Sequence, residues 1–150
     1  MIDWRIASWS ELGKDELYAI LVARARVFIV EQHCPYLDLD GFDAASWHLW
    51  TGSPVLAYLR ILPPGTKYAE ASLGRVITVP EARRQGLGRA LVVEGLRRAE
   101  LIFGPVPIRI GAQKYLERFY GEFGFVRSSD DYDEDGIPHL EMLRAAKSLA

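Results

Sequence analysis

Hydrophobic and polar positions follow two different periods along the chain. Alternation with a period of two, or a short apolar run, predicts a strand, whereas apolar residues three and four apart predict a helix. The predicted strands span residues 4–8, 46–51, 55–62, 72–79 and 106–112, with another beginning at 125–126 and a last one around 139–143. The predicted helices span residues 11–30, 85–103 and 113–122.

The order of these elements is strand, helix, three strands, helix, strand, helix and two strands. Consecutive strands favour an antiparallel meander, and a strand–helix–strand unit favours a parallel crossover. We therefore expect an α/β fold of the mixed α+β kind, in which helices flank a central mixed, mostly antiparallel sheet. No repeat or linker interrupts the pattern, so residues 1–150 are predicted to form a single domain.

Composition narrows the functional classes. The chain is 49% hydrophobic and 25% charged, with a formal net charge of −2, which favours neither nucleic acid nor an anionic membrane as a partner. Its one cysteine, Cys34, excludes an intrachain disulfide and a cysteine-based zinc cluster, and no metal site is predicted. No secretory signal or run of about 18 apolar residues is found, so a cytoplasmic location is expected.

The segment after the 72–79 strand carries the most specific chemistry. Gly86 and Gly88 lie between that strand and the next helix, so unpaired backbone N–H groups and the helix dipole favour a bound anion. The glycines let a phosphate approach the backbone, and nearby arginines can contact its other oxygens. Neither the P-loop pattern nor a full dinucleotide-binding pattern is present. The predicted phosphate-binding residues are Arg83, Arg84, Gln85, Gly86, Leu87, Gly88 and Arg89.

Two motifs in the right order resemble those of the GNAT acetyltransferase superfamily. One is Arg-x-x-Gly-x-Gly at residues 83–88, preceded by Pro80, and the other is the run Phe119-Tyr120-Gly121-Glu122-Phe123-Gly124-Phe125. Further runs are similar to the bacterial ElaA-like family, although Arg84 stands where that family more often has glycine. The runs are Arg26–Gln32, Cys34-Pro35-Tyr36, Asp40–Asp43, Arg60–Gly65, Gly74-Arg75-Val76, Ala112-Gln113 and Tyr132–His139.

The resemblance implies the GNAT fold and transfer of an acetyl group from acetyl-coenzyme A (acetyl-CoA) to a primary amine of a small molecule or peptide. Direct attack by the amine needs no acyl-enzyme, so Cys34 is expected to be structural. Main-chain groups of Ile77, Thr78 and Val79 are expected to contact the pantetheine arm and the thioester oxygen. Tyr120 is the predicted general acid for the leaving thiolate. A homodimer is left open.

The sequence does not select the general base. Glu70 and Glu31 are equally ranked, with His48, His139 and a water relay as further candidates. Five carboxylates lie within residues 130–135, and with Asp38, Asp40 and Asp43 they could attract a cationic acceptor if they lay beside the acceptor site. Otherwise they are solvated surface groups.

Two other interpretations compete with an N-acetyltransferase. Parts of the runs that begin at Arg26, Asp40 and Arg60 also resemble acyl-homoserine lactone synthases, which normally run longer and lack a clean Arg-x-x-Gly-x-Gly loop. The other alternative is a regulatory module that binds CoA without catalysis. Tyr120 argues against that second alternative.

Overall fold

The computed structural model describes residues 1–147. In that part of the chain, none of the helices is both long and apolar enough to cross a membrane. The strands are β1 (Arg5–Ser8), β2 (Trp47–Thr51), β3 (Ala57–Leu62), β4 (Ser72–Thr78), β5 (Ile108–Gln113), β6 (Val126–Arg127), β7 (Tyr132–Glu134) and β8 (Ile137–Arg144). The α-helices are α1 (Lys14–Arg24), α2 (Leu87–Phe103) and α3 (Glu117–Gly121).

The strands form two antiparallel sheets that meet at one point. The first has the order β1-β2-β3-β4, and the second has the order β5-β8-β6 with β7 paired to β8. A single parallel bridge joins Ala71 to Ile108, where the Arg109 N–H donates to the Ala71 carbonyl at 2.9 Å. Helix α2 makes the crossover between β4 and β5. The predicted mixed, mostly antiparallel sheet with flanking helices is therefore confirmed.

Strand β3 is buried on both faces because helices cover both. Leu59 and Ile61 belong to the core that includes Leu91 and Leu96 of α2. Tyr58 belongs to a second core on the other face, with residues of α1. Burying both faces of a strand excludes water from its entire hydrogen-bonded ladder and makes β3 the centre of the molecule.

Three predicted elements differ from the structure. The helix predicted over residues 113–122 is an α-helix only at Glu117–Gly121, because Gln113 ends β5 and Lys114–Leu116 forms a 3₁₀ turn. The long first helix divides into α1 and a π-helix over Ala25–Glu31, where each backbone turn is widened; the Gln32 N–H, for example, donates to the Val27 carbonyl at 3.2 Å. The acidic stretch, predicted as a loop, contains β7. Its hairpin turns at Asp135 and Gly136, both with positive φ (54° and 83°). An Asp-Gly pair is the usual sequence signal for such a turn.

A bulge shapes β4. Tyr58 pairs with Ile77 and Arg60 with Gly74, so β4 carries one residue more than β3 over this interval. Arg75 lies in the bulge with φ of 51°. A bulge bends its strand and redirects side chains, and here it directs Arg75 towards the segment that precedes β2.

Three arginines and three aspartates form a buried charge cluster beneath that segment. The Arg24 guanidinium contacts Asp43 at 2.7 Å and Asp38 at 2.9 Å. Arg60 also contacts Asp43, at 3.0 Å. The full cluster is Arg24, Arg60, Arg75, Asp38, Asp40 and Asp43.

Pairing within the cluster corrects one expectation from the sequence. Burial by itself would raise the pKa of Asp43, but hydrogen bonds from Arg24 and Arg60 outweigh it and hold that pKa below its ordinary value. The three aspartates are balanced by three arginines. They therefore stabilise the fold and add no net negative field for a cationic acceptor.

Replacing Asp43 by alanine should lower the free energy of unfolding by about 3–5 kcal/mol, because two buried guanidinium groups lose a partner. The folded pKa of Asp43 lies below the unfolded one, so its stabilisation is present above about pH 4 and is lost as pH falls through the folded pKa. Urea unfolding measures both effects. The exposed Asp130→Ala variant is the control, and a similar loss in both variants would contradict a structural role for the cluster.

Candidate active site

A cleft of about 920 Å³ opens where β4 and β5 separate. Its walls come from both strands, from the end of the π-helix and from α3. Among the described residues, hydrogen-bonded pairing between the two strands is confined to the Ala71–Ile108 bridge, so beyond it their facing main-chain edges have no partner strand. A gap between strands with free polar edges is suited to an extended ligand that carries its own hydrogen-bonding groups.

Alternation along the second sheet gives it an apolar and a polar face. The apolar face packs on the α2 core and includes Ile110, Ala112, Leu140 and Met142. Side chains at the intervening positions point the opposite way, and these residues line the cleft. They are Gly111, Gln113, His139 and Glu141, joined by Tyr132 and Glu134 of β7. The floor of the cleft is therefore polar and partly charged.

The predicted phosphate loop lies at the start of α2. Its backbone is tightly curved, with positive φ at Arg84 (65°) and Gly86 (76°). A Cβ on Gly86 would meet nothing within 4 Å, so the glycine serves backbone conformation. Within residues 1–147, the backbone N–H groups of residues 84–89 have no hydrogen-bond acceptor. Free N–H groups at the positive end of a 17-residue helix are suited to a bound anion such as a phosphate.

The arginine side chains of the loop are more constrained than the sequence suggested. Arg83 donates to the Thr78 carbonyl at 2.8 Å and forms a two-pronged ion pair with Glu31. Arg89 pairs with Glu122. Arg84 is exposed. The backbone thus offers the larger free donor set for a phosphate, and the arginines also hold neighbouring elements in place.

The members of the predicted cofactor set do not all reach the cleft. Ile77, Thr78, Arg83 and Gly88 line it. The Val79 N–H instead donates to the Leu56 carbonyl at 3.0 Å, and its side chain is buried in the second core. Val79 therefore cannot offer that N–H to a thioester oxygen, because the pairing of β4 with the chain before β3 already uses it.

Tyr120 lies on α3 and lines the cleft. Its ring packs edge-on against Phe119 and Phe125, with centroids 5.2 and 6.0 Å away. Among the described residues its hydroxyl has no hydrogen-bond partner, although the residue is only 6% exposed. Burial raises the pKa of Tyr120 well above its ordinary value. The side chain is therefore held as a neutral hydroxyl whose donor is free.

The two glutamates considered as general bases are both held by arginines. Glu70 accepts two hydrogen bonds from Arg109 and lies outside the set of residues that line the cleft. Glu31 lines the cleft, but the Arg83 guanidinium lowers its pKa. A carboxylate with a lowered pKa is a weaker base, so both glutamates are poor proton acceptors in this structure.

The two candidate histidines differ in whether they can reach a ligand in the cleft. His48 is fully buried, with its ring nitrogens 2.7 Å from the Tyr58 hydroxyl and 2.9 Å from the Asp43 carbonyl, and burial lowers its pKa. His139 lines the cleft. Its Nδ1 donates to the Ile137 carbonyl at 2.8 Å, and its Nε2 faces Glu134 at 3.2 Å. The first contact fixes the tautomer that leaves Nε2 as the proton acceptor.

The acidic stretch is divided by the hairpin. Asp131 is held by Lys114 and Arg127 on the surface, whereas Glu134 and Asp135 line the cleft. The Cys34 thiol donates to the Asp135 carbonyl at 3.2 Å, as fits the structural role expected of it. Sequence reasoning did not single out Lys67, Tyr68 or Tyr132 as site residues, although all three line the cleft.

Comparison with known proteins places these features in context. A family model for the acetyltransferase (GNAT) domain matches residues 46–145. The chain is 38% identical to protein ElaA of Escherichia coli over 148 residues, covering 96% of this chain and 97% of ElaA. It matches the crystal structure of an acyl-CoA N-acyltransferase from Pseudomonas aeruginosa with a TM-score of 0.92 and 40% identity, covering 97% of this chain and 100% of that one. A CoA-dependent acyl-homoserine lactone synthase shares only the fold, with a TM-score of 0.78, 14% identity and coverage of 98% of this chain and 84% of that one.

Gly86→Ala should lower the free energy of unfolding by about 1 kcal/mol, because alanine is strained at the positive φ of this position. Gly121→Ala is a matched control, since a Cβ at either glycine would meet open space but Gly121 has no positive φ. Thermal and urea unfolding compare the two variants. Equal stability of both would show that the loop conformation does not require glycine.

Proposed function

Since this chain belongs to the GNAT acetyltransferase family and has ElaA among its homologues, we propose that it is an acyl-CoA-dependent N-acyltransferase that moves an acetyl group from acetyl-CoA to a primary amine. The family resemblance seen in the sequence motifs is confirmed. The observation that carries the proposal is the row of free N–H groups at residues 84–89, beside a cleft that Tyr120 also lines. A small molecule or a peptide supplies the amine.

Several groups of the chain are placed to bind acetyl-CoA, the acetyl donor. The free N–H groups of the loop bind the pyrophosphate, and Ile77 and Thr78 line the cleft where the pantetheine arm passes between β4 and β5. Arg83 orders this region by joining β4 to the π-helix through Thr78 and Glu31. Main-chain groups on helices and strands are already fixed in place. Binding acetyl-CoA through them positions its thioester without the need to order long, flexible side chains.

In the proposed reaction, the amine nitrogen bonds to the thioester carbonyl carbon and the carbon–sulfur bond breaks. Tyr120 gives its proton to the sulfur, and the proton lost by the amine enters the solvent through a base. Tyr120 regains a proton from the solvent once the thiol has left, so the protons balance. A buried tyrosine with a raised pKa is a weaker acid than a thiol of pKa about 8.5. Proton transfer therefore accompanies bond cleavage instead of preceding it.

His139 and Glu134 are the proposed route for the amine proton. His139 Nε2 lies 3.2 Å from the Glu134 carboxylate, and both residues line the cleft, so the cleft holds a proton-accepting nitrogen beside a carboxylate. A water molecule can relay the proton between amine and imidazole. Glu31 and Glu70 take no part in this proposal because Arg83 and Arg109 hold them.

The remaining proposals concern the extent of the domain, its location and partners, and the alternative activity. We treat residues 1–150 as one catalytic domain that acts in the cytoplasm without nucleic acid or membrane, which the net charge of −2 supports. The acyl-homoserine lactone synthase alternative rests on a likeness of fold at 14% identity, and no feature of the cleft favours it over an N-acetyltransferase.

A panel assay separates these functions. Acetyl-CoA is incubated with assorted amines and the release of free thiol is followed, with the acylated product identified by mass. Thiol release that depends on an amine is expected. Tight binding of acetyl-CoA with no turnover across the panel would instead indicate a CoA-binding module.

Tyr120→Phe should lower kcat by about 10²-fold, the usual size of general acid catalysis, while acetyl-CoA affinity and Tm stay near wild type because only a hydroxyl without a partner is lost. The control is Tyr18→Phe, since Tyr18 is 72% exposed on α1. An unchanged kcat with a good acceptor would exclude the role of Tyr120. The raised pKa of Tyr120 also predicts no loss of its proton near pH 10, so activity should not decline there on its account.

A further inference from the structure

Three polar side chains in the cleft are not used by the proposed reaction. Lys67 forms no ion pair with any described residue, and its ammonium lies 5.6 Å from the centroid of the Tyr68 ring. The hydroxyls of Tyr68 and Tyr132 have no hydrogen-bond partner within residues 1–147. All three side chains line the cleft.

The two hydroxyls converge because Gly111 has no side chain. A Cβ at Gly111 would lie 3.2 Å from the Tyr68 hydroxyl and 3.2 Å from the Tyr132 hydroxyl. Burial raises the pKa of Tyr68 to about 12 and also raises the pKa of Tyr132. Both therefore remain neutral donors over the working range of pH, and they meet over one point of the cleft floor.

The charged groups near these hydroxyls are the carboxylates Glu134 and Glu141 and the cations Arg109 and Lys67, of which Lys67 has no ion-pair partner among the described residues. Burial of its ammonium is the main cause that lowers the pKa of Lys67; Arg60 and Arg75 lower it further, and Glu134 and Asp40 oppose the shift. Of the carboxylates on the floor, Glu141 is paired with Arg109, and Glu134 lies 3.2 Å from His139 Nε2. A cation with two free hydroxyl donors is complementary to an anionic group of a ligand.

We propose that Lys67, Tyr68 and Tyr132 bind a carboxylate of the acceptor, so that the acceptor is an amino acid or a similar compound with its amine close to a carboxylate. This inference rests on the proposed function. Tyr132 and Glu134 are two residues apart on one face of β7, a spacing of about 6.6 Å. The carboxylate subsite and the His139–Glu134 pair therefore lie side by side, as the two ends of an amino acid require.

The test compares matched acceptors with acetyl-CoA at saturation: an L-amino acid, its carboxamide, and the amine that lacks the carboxyl group. The amino acid should have a kcat/KM about 10- to 100-fold higher than the other two, the range expected for hydrogen bonds to a charged group. Lys67→Met should raise KM for the amino acid by about 10-fold with little change in kcat, and Lys67→Arg should restore part of the affinity. Lys14→Gln on the exposed start of α1 should change nothing.

A binding measurement keeps this inference separate from catalysis. Calorimetry with an N-acetylated amino acid and with its carboxamide reports recognition of the carboxylate even if no amine is turned over. The subsite is supported if the wild-type protein binds the carboxylate form more tightly than the carboxamide and if Lys67→Met abolishes this difference. Equal binding of both forms, or equal turnover of all three acceptors, would overturn it and leave the acyltransferase proposal standing. A preference for phosphoethanolamine over every carboxylate-bearing amine would also overturn it.

Discussion

The separation of β4 from β5 after a single shared hydrogen bond is the constraint on which the rest of the structure depends. Arg109 and Ala71 join the two sheets, and α2 must then cross from one strand to the other. The bulge at Arg75 bends β4, and the strands do not pair again. The cost is a row of main-chain groups without a partner strand, which is tolerated at a solvated cleft and which a ligand with its own amide groups can satisfy.

The buried arginines and aspartates hold one wall of this cleft. The segment of residues 32–45 has little regular structure besides a short 3₁₀ turn at Asp43–Ala45, so helix or sheet hydrogen bonds contribute little to it. Its three aspartates instead bind Arg24 of α1, Arg60 of β3 and Arg75 of the bulge. Each charge is costly to bury alone, but the set is balanced and joins a loop to three different elements. The segment, whose Cys34 and Tyr36 line the cleft, is thereby held in place.

The floor of the cleft follows from the simplest rule of strand geometry. Successive side chains of β5 and β8 point to opposite faces of the sheet. The strand placement that packs Ile110 and Leu140 into the core with α2 therefore also points Gly111 and His139 into the cleft. The polar residues that line the cleft floor are thus carried by one sheet. A shift of register by one residue would bury the polar set and expose the apolar one, so core packing and the placement of the site depend on each other.

Local features of the sequence were enough to predict most of the helices and strands and the glycine loop before α2, but not the π-helix at Ala25–Glu31 or strand β7. Glycine spacing and hydrophobic period act over a few residues, and chain neighbours determine them. The charges could not be interpreted in this way. Arg83 and Glu31 are 52 positions apart, as Arg60 and Asp43 are 17 apart, and an ion pair depends on distance in space. The sequence by itself therefore determined the family, the fold and the glycine loop at the start of α2. Only the tertiary structure decided that Glu70 and Glu31 are held by arginines, that Val79 is used internally and that Lys67 has no ion-pair partner among the described residues, because each depends on which distant side chains the packed sheets bring into contact.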